Sequence, residues 1–281
     1  MAHLIETYAD RNRGDYLIHH WLRSLRDNVD LHDLDILVFD YGLTEGQAKQ
    51  LRGLGVTVQQ GLRNGRMSNI HYRDLAEYLR IHEYDQVLYA DCGDIIFQAD
   101  IRDLFELHKE RYRGVCEGIL NLRMHRWTLG FGDLKNDSHG QIKSVLRGRP
   151  IINGGFVLAP ASKLRWFWDE YQKLCRAQLR HGTDQLIMSY VMYRDGFTAL
   201  PEKYNFVLIT TKSKFAIRQS RFFDADGAII PVVHNAGRYD WARSISQFGY
   251  GPGMNGHKRA THWCMSAFYS SLNWLARSLP E

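Results

Sequence analysis

The chain has 281 residues, 44% hydrophobic and 24% charged, with 36 Lys and Arg against 31 Asp and Glu and a formal net charge of +5. This is ordinary globular composition, and the length supports a large core. No repeat, low-complexity tract or membrane-spanning apolar run is present, and Cys92, Cys116, Cys175 and Cys264 are too scattered for a metal finger. The opening residues lack the basic and apolar regions of a signal peptide. A soluble, cytoplasmic protein with free thiols is therefore expected. The basic excess reads either as solvated surface or as a surface for an anionic partner: phosphate groups, acidic membrane or nucleic acid.

In chain order, His3 to Ala9 reads as a buried strand. Asp15 is placed to cap a helix that buries Leu17, Ile18, Trp21, Leu22 and Leu25 at helical spacing. Asp35 to Phe39 is a second strand. Thr44 caps a helix through Leu54, closed by Gly53 and Gly55. Val56 to Gln59, a helix over Ile70 to Ile81, and a strand over Gln86 to Ala90 follow. This alternation predicts an α/β fold with a mostly parallel central sheet covered on both faces. Ligands bind such sheets at the carboxyl ends of the strands. There the sequence places Tyr8-Ala9-Asp10-Arg11-Asn12 and Asp91-Cys92-Gly93-Asp94.

Beyond Leu120 the pattern is less regular. Val115 to Ile119 and Gly155 to Leu158 read as strands, and the polar stretch between Leu120 and Pro150 as a long functional loop. Ser162 to Leu179 and Asp184 to Tyr193 read as helices, and Ile229 to Val233 as a strand ending at His234. A glycine-rich loop, Gly249 to Gly256, has the freedom to close over a ligand. A helix follows from about His262 to Arg277.

Two carboxylates flanking a glycine after a buried strand are costly unless neutralised. Asp91 and Asp94 either cap the next element, pair with arginines, or hold a hard divalent cation, with Gly93 letting the backbone turn between them. His234, ending another strand, is either a satisfied core histidine or a third ligand on the same rim. A cation there would bridge two phosphates, and Arg73 or Arg66 could take up phosphate oxygens with a planar fork. Asn153-Gly154-Gly155 is either an ordinary turn or a place where ligand approaches backbone, and Asp184 a cap or a site residue beside Gln185.

From residue 3 to about 241 these pieces resemble, in order and spacing, GT-A-fold glycosyltransferases, most of all glycosyltransferase family 8. The resemblance implies a single GT-A, Rossmann-like domain over residues 1–245, with 246–281 as a glycine-rich loop and a helical C-terminal extension packed on it. It implies that Tyr8, Ala9, Asp10 and Asn12 hold a uracil base, and that Arg73 contacts donor phosphate or sugar. Asn153, Gly154 and Gly155 would bind the donor sugar, and Asp184 and Gln185 would stand beside its reactive carbon. Asp91, Asp94 and His234 would hold Mn2+ or Mg2+, while Gly237, with Arg238, would contact phosphate. The family's DxD is stretched here to DxxD, and its Lys-Pro-Trp is replaced by Arg238-Tyr239-Asp240-Trp241.

The implied activity is transfer of a sugar from a UDP-sugar donor, with retention, to a glycan, lipid-linked or protein acceptor. Lys258, Arg259, Trp263, Phe268, Tyr269 and Trp274 suit either a packed helix or peripheral membrane contact. The competing readings are a nucleotidyltransferase of similar fold, a DNA-modifying glycosyltransferase and a basic nucleic-acid-binding protein. Residues 7–15 contain only Gly14 and so lack a Gly-rich phosphate loop, and no nucleic-acid-binding motif is present.

Overall fold

The computed structural model describes residues 2–129, 131–237 and 240–278. β1 (His3–Ala9) leads into α1 (Arg11–Tyr16), a π-helical stretch over Leu17–Leu22, and α2 (Arg23–Asn28). β2 (Leu34–Asp40), α3 (Glu45–Gly53), β3 (Thr57–Gln60), α4 (Met67–Ile81) and β4 (Gln86–Ala90) continue the alternation. Next come β5 (Ile95–Phe97), α5 (Asp103–Glu106), β6 (Tyr112–Asn121), α6 (Leu122–Leu129), α7 (Ser138–Leu146) and β7 (Pro150–Pro160). α8 (Ala161–Leu164), α9 (Phe167–Leu174), α10 (Thr183–Asp195) and β8 (Phe197–Ala199) follow. The short strands β9 (Phe206–Val207), β10 (Phe215–Arg218), β11 (Arg221–Asp224), β12 (Val232–His234), β13 (Ile245–Ser246) and β14 (Gly256–His257) precede α11 (Arg259–Ser278).

The main sheet runs β3-β2-β1-β4-β7-β6-β8. β1, β2, β3 and β4 pair in parallel, while β7 runs antiparallel to both β4 and β6. Leu4 and Tyr8 of β1 join Val87 and Tyr89 in one apolar cluster, while Ile5 and Ala9 join Leu88 and Ala90 on the opposite face. Both faces are covered, which is why these strands read as continuous apolar runs. A small second sheet, β5-β12-β9, places His234 opposite Ile95 and Val207.

Several expected boundaries differ. The first helix is capped by Asp10, whose side chain accepts the Asn12 amide, and not by Asp15. The stretch between Leu120 and Pro150 is not a loop: α6 and α7 occupy much of it, with Ile142 and Leu146 anchored in the core. The helix expected from Ser162 to Leu179 is broken into α8 and α9, and the backbone turns extended at Cys175. The expected strand over Gly155 to Leu158 is the middle of the longer β7.

After residue 245 the chain is stitched to what precedes it. β13 pairs with β14, and Asn255 bridges the Gly249 backbone and the Ser220 carbonyl. His20 meets the Tyr250 backbone. The glycine-rich loop is thus pinned at both ends.

Candidate active site

β4 delivers Asp91 to the carboxyl edge of the sheet, where its amide donates to the Gly155 carbonyl at 2.9 Å. Tyr8 donates to Asp91 Oδ1 at 3.3 Å, and Tyr89 donates to the same oxygen. The other carboxylate oxygen faces Gly155, where a Cβ would lie 2.8 Å from it and 2.6 Å from His234 Cε1. Absence of a side chain at residue 155 therefore keeps open the space that Asp91 and His234 share. Asp94 lies 3.3 Å from His234 Nε2 and 3.2 Å from the Arg243 guanidinium. One ligand atom each of Asp91, Asp94 and His234 lies within 4.8 Å of the others.

The histidine is oriented from behind. Its Nδ1 stands 2.9 Å from Asn205 Oδ1, an acceptor, so Nδ1 carries the proton and Nε2 faces the carboxylates. Burial works against a charge on His234, but Asp94, Asp91 and Glu117 outweigh it and raise its basicity. Burial likewise works to raise Asp94, yet His234, Arg243 and Arg13 hold it down at about 2. Asp91 is raised, first by burial and then by Asp94. A field that favours a proton on Nε2 also favours a cation in its place. Two carboxylates and an imidazole with its lone pair directed inward fit a divalent ion of the Mn2+ or Mg2+ type.

A second row of polar groups runs from the histidine towards α10. Asn205 donates to Asn153 Oδ1 at 2.9 Å, and that oxygen also accepts the Gly155 amide at 2.9 Å. Asn153 donates to Glu117 at 2.7 Å, and Gln185 donates to the same Glu117 oxygen at 3.1 Å. The residues from β6, β7, β9's approach, β12 and α10 thus form one hydrogen-bonded chain, buried at Glu117, Asn153, Asn205 and His234. Gly154 lies against Gln185, with a Cβ there meeting the Gln185 backbone at 3.4 Å. Next to Gln185, Asp184 keeps a buried Oδ1 without a partner. Burial, then Asp91, push this carboxyl up to about 6, with His71 pulling the other way.

At the far end of the edge, Asp10 pairs with Arg63 at 3.2 Å, and Arg63 also donates to the Tyr41 carbonyl. Ala9 is buried and accepts the Tyr41 amide, while Asn12 is exposed and bonded through its backbone. Arg73, expected at the donor, has its guanidinium committed to Asp74, Asn64 and the Leu62 carbonyl, where it ties the loop before α4 to that helix. Arg66 is the residue preceding α4, and its amide bonds the Gln178 carbonyl. Gly237 offers its carbonyl to Arg243. Arg238 lies outside the described residues.

Four residues of the site carry no local sequence signal of their role. Arg13 packs over Gly93, its Nε 3.3 Å from where a Cβ would be, within the field of Asp91 and Asp94. Only its place one helical turn after the capping Asp10 hints at this. Arg243, Asn205 and Glu117 come from separate elements and meet the others only in three dimensions.

Among solved structures, the chain is similar to the galactosyltransferase LgtC in complex with donor and acceptor sugar analogues. That match has a TM-score of 0.53 at 19% identity over 99% of this chain and 98% of that one. It is similar to the glycosyltransferase GlyE of Streptococcus pneumoniae TIGR4, with a TM-score of 0.55 at 16% identity over 99% of this chain and 64% of that one. It is also similar to the bifunctional glycosyltransferase WbbM, at 0.57 and 14% over 86% of this chain and 47% of that one. No protein-family model and no curated protein matches the sequence. The fold is the GT-A fold of these glycosyltransferases, as the order of the sequence motifs implied.

Proposed function

We propose that this chain is a metal-dependent glycosyltransferase that moves a sugar from a UDP-sugar donor, with retention, to a glycan, lipid-linked or protein acceptor. The observation that carries this reading is the convergence of Asp91, Asp94 and the oriented Nε2 of His234 at the carboxyl edge of a GT-A sheet. When bound there, Mn2+ or Mg2+ supplies a Lewis acid and template for the donor diphosphate. Arg13 and Arg243, already beside the aspartates, add positive charge where the leaving group becomes negative. Asp10, just past the end of β1, and Arg63, which reaches it from the loop after β3, are read as meeting the nucleoside. Asn153, with Gly154 and Gly155, positions the sugar, and Gln185 and Asp184 face its anomeric carbon. Transfer forms a bond from the acceptor oxygen to that carbon and breaks its bond to the diphosphate, which departs with the hydroxyl proton.

Residues 1–245 are read as the catalytic domain, with 246–281 as the segment packed on it. None of its described helices is long and apolar enough to cross a membrane. α11 exposes Trp263, Phe268 and Trp274, which supports peripheral contact with a membrane surface.

A screen of nucleotide sugars with Mn2+, scoring release of the nucleotide without acceptor, tests the donor assignment. Asp94→Ala should lower turnover by about two orders of magnitude or more, since one charged ligand of a catalytic ion is lost. Turnover unchanged in that variant removes the metal assignment.

A further inference from the structure

A cavity of about 570 Å³ lies between the end of β6, α6, α7, the start of β7 and α11. Its wall carries Arg123, Arg126, Lys143, Arg147 and Arg149, with no carboxylate among the described residues that line it. The Arg126 guanidinium sits 4.4 Å over the Phe131 ring and that of Arg149 5.0 Å over Tyr193. Stacking on a ring orients the guanidinium but does not neutralise it, and the N–H edges stay available to an anion. Arg123 donates to the Ala276 carbonyl of α11, which holds that helix at the rim. Arg126, Lys143 and Arg149 are like charges around a concave space, and their summed field concentrates anions there.

A second feature points to a ligand with hydroxyl groups. Asn273 of α11 is only 6% exposed, lines the cavity, and has a side-chain oxygen with no hydrogen-bond partner. A buried amide oxygen without a partner is costly, and a hydroxyl from a bound molecule would satisfy it.

Its position relates the cavity to the chemistry. Gly118 on its wall directly follows Glu117, the residue that holds both Asn153 and Gln185. Pro150 on its wall lies three residues before Asn153 in the same strand, about 10 Å along β7. The donor phosphates are matched elsewhere, by the Asp91–Asp94–His234 cluster with Arg13 and Arg243. Arg126, Lys143 and Arg149 are therefore surplus to the donor.

We propose that this cavity is the acceptor subsite and that the acceptor is a phosphate-bearing saccharide. Arg126 and Arg149 grip its phosphate, Asn273 receives a hydroxyl, and another hydroxyl reaches towards Gln185. This inference rests on the glycosyltransferase reading above.

Calorimetric titration of the whole protein, without metal, tests it with glucose 6-phosphate, inorganic phosphate and glucose as probes. Glucose 6-phosphate should bind in the millimolar range or tighter, more tightly than inorganic phosphate, and glucose should not bind measurably. The double variant Arg126→Gln/Arg149→Gln should weaken glucose 6-phosphate by about tenfold or more while leaving the affinity for UDP with Mn2+ unchanged. The single variant Lys143→Gln, on the exposed side of α7, should give a smaller loss and guards against misfolding of the double variant. Three results each overturn the proposal: no glucose 6-phosphate binding, binding no tighter than inorganic phosphate, or equal binding by the wild type and both variants. Failure of UDP with Mn2+ to bind the wild type would instead remove the glycosyltransferase reading, whatever the cavity binds.

Discussion

A methyl group on Gly155 would lie 2.6 Å from His234 Cε1 and 2.8 Å from an Asp91 oxygen. Neither neighbour can yield: Asp91 is fixed by two tyrosines and His234 by Asn205. Gly155→Ala should therefore displace the ligands and weaken Mn2+ binding by about 10–100-fold, as loss of ligand orientation does elsewhere; electron paramagnetic resonance of free Mn2+ measures it. Asp184 presents the opposite case, a side chain kept at a cost. Its carboxyl sits at about 6, raised first by burial and then by Asp91. Relative to about 3.9 when unfolded, the raised value means that the fold favours the protonated form. The cost is absent below about pH 4, grows as pH rises to about 6, and is complete above. Asp184→Asn should thus stabilise the protein by about 3 kcal/mol at pH 8, with little effect at pH 4, while lowering sugar transfer. Urea denaturation at the two pH values reads the first effect and a transfer assay the second.

Elements differ in how openly they declared themselves. α3 was legible because Thr44 and Gln47 form a reciprocal capping box that any reader of the sequence can find. α6 and α7 were not, because each is short, rich in Arg, Lys or polar residues, and buries only a few side chains such as Met124, Ile142 and Leu146. α1 was misplaced by one turn because Asp10 and Asp15 are equally good caps in isolation, and only the end of β1 decides between them. In α11, Trp263 and Trp274 are each 70% exposed, and eleven residues make three turns, so both indoles project from one face. Asn273 and Ala276, about 100° and 160° round the helix from Trp274, are buried against the protein. If the outer face meets lipid, Trp263→Ser/Trp274→Ser should sediment less with anionic vesicles than the wild type while melting at the same temperature. Equal sedimentation removes the membrane contact.

At the scale of the molecule, the parallel half of the sheet was readable because β1, β2 and β4 are buried on both faces and the helices between them alternate regularly. The antiparallel half was harder, because β7 enters between β4 and β6 from a distant part of the chain, and its glycines read as a turn. The aspartates were legible as charges needing a partner. The groups that orient them were not, since Arg13, Glu117, Asn205 and Arg243 have no fixed spacing from Asp91. Arg73 shows the converse: its position in the sequence fits a donor contact, while its guanidinium is engaged with Asp74, Asn64 and Leu62.

The insertion of β12 between β5 and β9 has a consequence in time. During synthesis, Asp91 and Asp94 leave the ribosome long before His234, and no three-ligand cluster exists until β12 has docked. A nascent chain therefore carries two aspartates on a growing sheet without the means to retain a divalent ion tightly. On the metal-dependent reading proposed above, ion capture comes last and would from then on favour the completed fold over every earlier state of the chain.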